Sequence, residues 1–390
     1  MVLDNGSSES RNYYGQREPQ RPAKPSSDDI FEEEVSVGTG ISDNSYILQL
    51  ISQGLKSSPR SLPSLLLWDS VGLDLYEKIT ESPEYYLTRV EADVIRNNVD
   101  AIVQLIGANG VILELGSGSL AKTSIILGEF AKREIPVTYF ALDLCASSLA
   151  KSLEELRSYL GHSPLVTCHP LCMTYQDGVS WVAGQQFLCG KRVTVLWLGS
   201  SLANEPENEF RDLVNGITTA YTNSSSTSNI QFLIGVDGNK DASTVSRAYD
   251  TSDGLSRQFA LNGINNVNRA LGADILVADK WTFNGVWDSQ EEAFHTNIKS
   301  LEDQEVIIGG QSLQILEGEN IQFILSRKLS SSQFEKWLTG TALQTMTVWQ
   351  HTKFNYDSLK FPCTNNAKAI ADHELVKGLY QLAPLSKSML

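Results

Sequence analysis

The chain has 390 residues, 41% hydrophobic and 20% charged, a globular composition that excludes a collagen-like or wholly disordered polymer. Lys and Arg number 31 against 46 Asp and Glu, a formal net charge of -15, so the bulk basic footprint of a nucleic-acid binder is absent. The same acidity disfavours anionic membranes.

Residues 1–40 are rich in Ser, Pro, Gln, Arg and Glu and poor in aliphatics, which predicts a disordered tail. They contain no apolar core of a signal peptide, and no apolar run approaches the roughly 20 residues that span a bilayer. A cytoplasmic protein is expected. Cysteines 145, 168, 172, 189 and 363 are odd in number and form no CxxC pair, which predicts reduced thiols. Cys168-His169-Pro170-Leu171-Cys172 resembles half a zinc site, but no second half with ligand spacing follows, so no metal is predicted.

From Ser45 the apolar period is helical, through Ile47, Leu48, Leu50, Ile51 and Leu55, until Leu62-Pro63 interrupts it. A second helix is predicted over 73–79. A third runs over 88–105 on Val90, Val94, Ile95, Val99, Ile102 and Val103, with Gly107 to Gly110 as its stop signal. The pattern then changes. Val111 to Leu115 reads as a buried strand ending in a glycine turn, followed by a helix over 122–132, a strand over 137–142 ending on Asp143, and a helix over 147–160. Further strands are predicted over 193–198 and 230–236, with a polar loop at 222–229 before the second of them. Strands alternating with helices predict a parallel sheet with helical crossovers. Residues 243–271 read as a helical stretch and 275–277 as a strand, an insertion large enough to form a second lobe with the N-terminal helices. Residues 322–329 and 345–350 read as late antiparallel strands.

The chemistry centres on Glu114-Leu115-Gly116-Ser117-Gly118-Ser119. Gly116 and Gly118 let the backbone turn sharply and approach a ligand closely. Asp143, at the next strand end, can accept both hydroxyls of a ribose. The third glycine of a dinucleotide fingerprint is missing, since position 121 is Ala. S-adenosylmethionine, which has no pyrophosphate to cradle, is therefore favoured over NAD, with another nucleotide or a purely structural turn as the alternatives. No catalytic triad is visible or required, because methyl transfer to an amine depends on positioning.

Leu62-Pro63, Asp69-Ser70-Val71-Gly72-Leu73-Asp74-Leu75, Ile79-Thr80 and Pro83-Glu84-Tyr85-Tyr86-Leu87-Thr88-Arg89-Val90-Glu91 resemble the N-terminal block of the histidine-specific methyltransferase family. Glu114 to Gly118 with Lys122-Thr123 resembles its cofactor loop. Leu198-Gly199-Ser200-Ser201 through Asn204, Arg247-Ala248-Tyr249-Asp250 and Trp287-Asp288-Ser289 through Glu292 resemble later blocks, so the likeness spans about residues 45–350. That family includes the histidine Nα-methyltransferase of ergothioneine synthesis and fungal relatives acting on tryptophan and 4-dimethylallyltryptophan.

The resemblance implies an α/β fold, a Rossmann-like class I methyltransferase domain over 91–239 and 331–390, with a smaller α+β substrate lobe over 41–90 and 240–330. It implies S-adenosyl-L-methionine contacts from Tyr85, Gly116, Gly118, Lys122, Asp143, Thr174 and Tyr175. Asn204 and Tyr249 should hold the substrate carboxylate, and an amide and a phenol can do so without burying a full opposite charge. Around the substrate it places Trp68, Thr296, Ile324 and Ser326, with His295 at the pocket edge. Trp68 replaces a tyrosine of the histidine enzyme, and Ile324 replaces the glutamate that binds the imidazole. An apolar wall in place of a carboxylate removes the partner of an imidazole N–H and suits an indole. The expectation is a monomeric N-methyltransferase for a small aromatic, tryptophan-derived amine in secondary metabolism. The alternatives are a histidine Nα-methyltransferase and a noncatalytic cofactor-binding scaffold.

Overall fold

A computed structural model describes residues 36–37, 44–224, 229–351 and 377–384. In chain order these form β1 (Ser36–Val37), α1 (Asn44–Lys56), β2 (Arg60–Ser61), α2 (Ser70–Glu81), α3 (Tyr86–Ile106), β3 (Gly110–Leu115), α4 (Thr123–Lys132), β4 (Val137–Asp143), α5 (Ala146–Tyr159), β5 (Val166–Cys172) and α6 (Tyr175–Gly184). There follow β6 (Val193–Trp197), α7 (Glu207–Ser224), β7 (Ile230–Asp237), α8 (Ala242–Tyr249), α9 (Leu255–Leu271), β8 (Trp281–Asp288), β9 (Ala293–Ser300), β10 (Gln304–Ile308), β11 (Gln311–Ile315), β12 (Asn320–Arg327), α10 (Ser331–Leu338), β13 (Leu343–Gln350) and β14 (Lys377–Pro384).

The main sheet has the order β1-β5-β4-β3-β6-β7-β14-β13. The strands from β5 through β7 pair in parallel, and β14 runs antiparallel to both β7 and β13. This is the Rossmann-like class I methyltransferase sheet, its reversed strand inserted next to one edge. The order reverses between β3 and β6, which makes the crevice beyond their carboxyl ends the natural ligand site. Every residue of β3 and β6 is buried, as a strand covered on both faces requires.

A second sheet, β2-β12-β9-β8, draws on residues 60–61 and 281–327. Its apolar face packs with α1, α2, α9 and the first turns of α3 into one core that includes Ile51, Leu67, Tyr85, Val90, Ile264, Ile298 and Phe323. The helix α3 also packs Val94, Ile95, Ile102 and Val103 under the main sheet, so a single rigid rod of 21 residues runs through both cores.

Several sequence expectations need correction. The stretch 275–277 is not a strand; the strands of this region are β8 and β9, whose Asn, Gly, Thr, His and Lys residues hide the apolar alternation. The helical stretch 243–271 is two helices, separated by residues 250–254, where Gly254 has a φ of 77°. The polar loop at 222–229 begins later, because α7 continues to Ser224. Cys168 and Cys172 stand on β5, within the sheet, and belong to no cluster of metal-ligating side chains among the described residues. The tail expected over 1–40 lies outside the described residues except for Ser36 and Val37, which extend the sheet as a parallel partner of Leu171 and Cys172. No helix among the described residues is long and apolar enough to cross a membrane.

Candidate functional site

The glycine turn after β3 is held from below. Glu114, buried at the end of the strand, accepts from Thr123 Oγ1 at 2.8 Å to each carboxylate oxygen and from the Tyr139 hydroxyl. Burial pushes this carboxyl up to about 7, with the Tyr139 and Thr123 hydroxyls opposing the rise. Gly116 (φ 65°) and Gly118 (φ 47°) both take the left-handed conformation. A Cβ on Gly116 would lie 2.6 Å from the Tyr175 hydroxyl, whereas one on Gly118 would meet only open space. The turn is thus packed on its inner side and open on its outer side.

Asp143, ending β4, receives the Gly118 amide at 2.8 Å and the Leu144 amide at 2.7 Å. Burial raises its carboxyl despite these amide donors. Gly118, Ser119 and Asp143 line a small solvent-open groove, with Tyr76 and Glu77 of α2 on one wall and Ser148, Ser152 and Glu155 of α5 on the other. Ser117 Oγ is buried at the same turn without a hydrogen-bond partner. An open glycine corner, an orphaned hydroxyl and a carboxylate at the neighbouring strand end fit the adenosine part of S-adenosylmethionine.

On the β6 side lies a buried ion pair. Lys122 Nζ contacts Glu91 Oε2 at 2.6 Å, and both Glu91 oxygens accept from the Gly199 amide at 3.0 and 2.9 Å. Burial lowers the Lys122 ammonium, but Glu91 outweighs it and the net shift is upward. Gly235 on β7 has no side chain because none fits: its Cβ would sit 1.8 Å from Glu91 Oε1. The specific PEYY-x-TR-x-E block thereby acquires a structural reason, since its final residue Glu91 pins Lys122 and the loop after β6 together.

The same block supplies aromatics. Tyr85 and Tyr76 share a hydroxyl–hydroxyl contact of 3.1 Å, and burial raises both phenols. Their rings belong to a chain in which Trp68 meets Tyr76 (5.1 Å between centroids), Tyr76 meets Tyr85 (6.1 Å), Tyr85 meets Tyr249 (6.0 Å) and Tyr249 stacks on Phe294 (5.0 Å). Phe294 faces Ser326 across the β9–β12 ladder, and Thr296 faces Ile324. These four residues share a sheet face, which is the face Tyr249 covers. The bulge between Gln322 and Ile324 sets that phase. His295 points to the opposite face, where its Nδ1 contacts Gln322 Oε1 at 3.0 Å and its Nε2 lies 3.4 Å from Glu291. Its expected place at the pocket edge is therefore corrected by the alternation of the strand.

Tyr249 ends α8, and Asn204 ends a short 3₁₀ turn, Ser201–Asn204, after β6. Arg327 ties that turn to the end of β12 by donating to the carbonyls of Ala203 (3.3 Å) and Glu205 (3.0 Å). Tyr249 reaches the same strand end, where its hydroxyl accepts from Lys328 Nζ at 2.9 Å. Thr174 is spent as the N-cap of α6: its Oγ1 accepts from the Asp177 amide at 3.1 Å and contacts the Asp177 carboxylate at 2.8 Å. Tyr175, by contrast, packs on Trp197 and under Gly116. Sequence reasoning missed Tyr76, Glu91, Asp237 and Lys328 as members of the site. Glu91 stood in the quoted block without a role, and Asp237 and Lys328, 91 residues apart, carry no local signature.

The sequence is similar to those of known proteins. The model of the family described as histidine-specific, SAM-dependent methyltransferases matches residues 47–361. The N-methyltransferase imqF of Aspergillus flavus is 33% identical over 78% of this chain and 82% of its own length. Ergothioneine biosynthesis protein 1 of Neurospora crassa is 30% identical over 76% of this chain and 32% of its own length. The 4-dimethylallyltryptophan N-methyltransferase easF of Claviceps fusiformis is 26% identical over 77% of this chain and 87% of its own length.

Proposed function

This chain belongs to the histidine-specific, SAM-dependent methyltransferase family, and from that premise we propose that it methylates the amino group of an aromatic, tryptophan-derived amino acid in secondary metabolism. It is an S-adenosylmethionine-dependent N-methyltransferase; the choice of substrate is the proposal. The observation that carries it is the face formed by Phe294, Thr296, Ile324 and Ser326, which offers no carboxylate and continues into the rings of Tyr249, Tyr85, Tyr76 and Trp68. An indole edge buries apolar area there, whereas an imidazole N–H opposite Ile324 would lose its hydrogen bond to water and gain none.

When bound, the cofactor supplies the electrophilic methyl group. In this reading Gly116, Gly118, Asp143 and Tyr175 form the adenosine side of the site, with Thr174 nearby. Lys122, already fixed by Glu91, and Tyr85 hold the methionine end. Asn204 and Tyr249 engage the substrate carboxylate, and residues 41–90 and 240–330 form the substrate lobe. Trp68 stacks against the substrate and contributes no oxygen. The phenols of Tyr76 and Tyr85 are held in their neutral, protonated form by burial, so neither takes a proton from the amine. The substrate amine accordingly enters uncharged or loses its proton to water, and the residues above orient its lone pair.

Histidine methylation is the second reading, favoured by the description of the matching family as histidine-specific. The test is Ile324→Glu. Restoring a carboxylate on that face shifts the ratio of methylated histidine to methylated tryptophan upward in a mixed-substrate assay; an unmoved ratio refutes the role given to Ile324.

A further inference from the structure

Lys328 follows the last residue of β12 and is among the largest fully buried side chains of the protein. Its ammonium is 1% exposed and its counter-ion Asp237, ending β7, is 0% exposed, with Nζ and Oδ2 2.8 Å apart. The carboxylate is otherwise satisfied: Oδ2 accepts from the Tyr86 hydroxyl at 2.6 Å and Oδ1 from the Asn239 amide at 3.1 Å. The second partner of Lys328 is the Tyr249 hydroxyl, at 2.9 Å, with Nζ 4.6 Å from the centre of that ring. Burial lowers the ammonium, and the Asp237 carboxylate more than reverses this, so the group stays charged.

An ammonium has three donors and no acceptor. Tyr249 Oη must therefore accept from Lys328, and its own proton is left to point at something else. Among the described residues no acceptor for that proton is found within hydrogen-bonding distance. A buried ion pair of this kind is costly to desolvate, and a well-packed apolar pair would serve stability as well or better. The use that the geometry offers for the pair lies in its orientation. Asp237 also takes the Tyr86 hydroxyl and the Asn239 amide while Lys328 turns its other contact to Tyr249, so the positive end of the pair meets the phenol.

We propose that Lys328 is the positioning residue that sets the carboxylate requirement of this enzyme. It fixes the Tyr249 phenol as a donor to the substrate carboxylate and adds a buried positive charge behind it. The proposal rests on the reading of Tyr249 given above and deepens it: the substrate is an amino acid with a free carboxylate, and a decarboxylated amine gains nothing from this arrangement. Asn204, carried to the same strand end by Arg327, completes the anion-binding corner.

The test separates carboxylate recognition from catalysis. Binding of indole-3-propionate, which has the carboxylate without the amine, and of tryptamine, which has the amine without the carboxylate, is measured by calorimetry on the full chain saturated with S-adenosylhomocysteine. Lys328→Met weakens indole-3-propionate by about tenfold or more, the loss of a charge-assisted interaction, and leaves tryptamine within about twofold. Because that variant strands Asp237, Lys328→Met combined with Asp237→Asn is measured beside it. The double variant recovers thermal stability and keeps the selective loss. If wild type binds indole-3-propionate and either folded variant binds it equally well, or loses both probes alike, Lys328 has only a structural role. If the wild type fails to bind the carboxylate probe at all, the anion corner itself is refuted. Turnover of tryptophan by the wild type, assayed separately, reports on the substrate reading independently of this inference.

Discussion

Replacing Glu114 by Gln tests the claim that the cofactor turn is anchored on a carboxyl that titrates near neutrality. Glu114 is 3% exposed and its oxygens face only the hydroxyls of Thr123 and Tyr139. Burial lifts the folded carboxyl from 4.5 to about 7. Between these values the folded chain holds a proton that the unfolded chain releases, so the stabilising contribution is fully present below about 4.5 and is lost as pH rises through about 7. The difference corresponds to about 3 kcal/mol, the cost of an ionised carboxylate above neutrality. Gln has the shape of the protonated acid, does not ionise, and its amide can donate to either hydroxyl. Urea unfolding of both proteins from pH 5 to pH 8 should show a stability difference that moves in favour of the variant by about 3 kcal/mol as pH rises. Comparing the two proteins at each pH cancels the other titrating groups. A difference that does not change with pH would refute the reasoning.

Other predictions concern the site directly. Gly235→Ala places a methyl group 1.8 Å from Glu91 Oε1 and must drive that carboxylate off the Gly199 amide and Lys122. Lys122 keeps 16% exposure, so separating the pair costs less than the about 3–5 kcal/mol of a fully buried one, but the melting temperature and cofactor affinity should still fall together, and calorimetry showing wild-type affinity would refute the anchoring role of Glu91. Asn204→Ala should raise KM for the amino-acid substrate about tenfold with a smaller effect on kcat. Equal KM values would remove Asn204 from the carboxylate site. With Tyr76 and Tyr85 both held neutral, no side chain of the aromatic cluster acts as base, and kcat/KM should climb with pH until the free amine is deprotonated. A bell centred near neutrality would reveal a base that this account lacks.

The sheet was legible where its strands are buried on both faces, because Val111 to Leu115 and Val193 to Leu198 are nearly uninterrupted apolar runs. It was not read at β5, where Cys168-His169-Pro170 resembled only half a zinc site and no strand was predicted, although the parallel register with Tyr139, Phe140 and Ala141 explains those residues as a strand. The helix α7 was not predicted, although Phe210, Leu213, Val214, Ile217 and Tyr221 on its buried side carry a helical period. The capping boxes Thr174-x-x-Asp177 and Ser330-x-x-Gln333 open α6 and α10, two helices that the sequence reading did not predict. The glycine turn, Asp143, Asn204 and Tyr249 could be located from local motifs. Glu91 was legible as the end of the PEYY-x-TR-x-E block but its role was not, and Asp237 and Lys328 were not legible at all, because each acts through a partner set by tertiary folding: Lys122 lies 31 residues from Glu91, and Asp237 lies 91 residues from Lys328. The orientation of His295 follows from simple alternation in β9, which sets it opposite Phe294 and Thr296, but no strand was predicted over 293–300.

The central claim is an indole-selective amino group as the methyl acceptor. The most direct measurement is a competition assay by mass spectrometry, in which the purified chain receives S-adenosylmethionine with equimolar histidine, tryptophan, 4-dimethylallyltryptophan and tryptamine. The account predicts a one-methyl mass gain on an indole amino acid, with tryptamine far behind and histidine unmodified. Methylated histidine as the sole product would contradict it and restore an imidazole to the wall formed by Ile324.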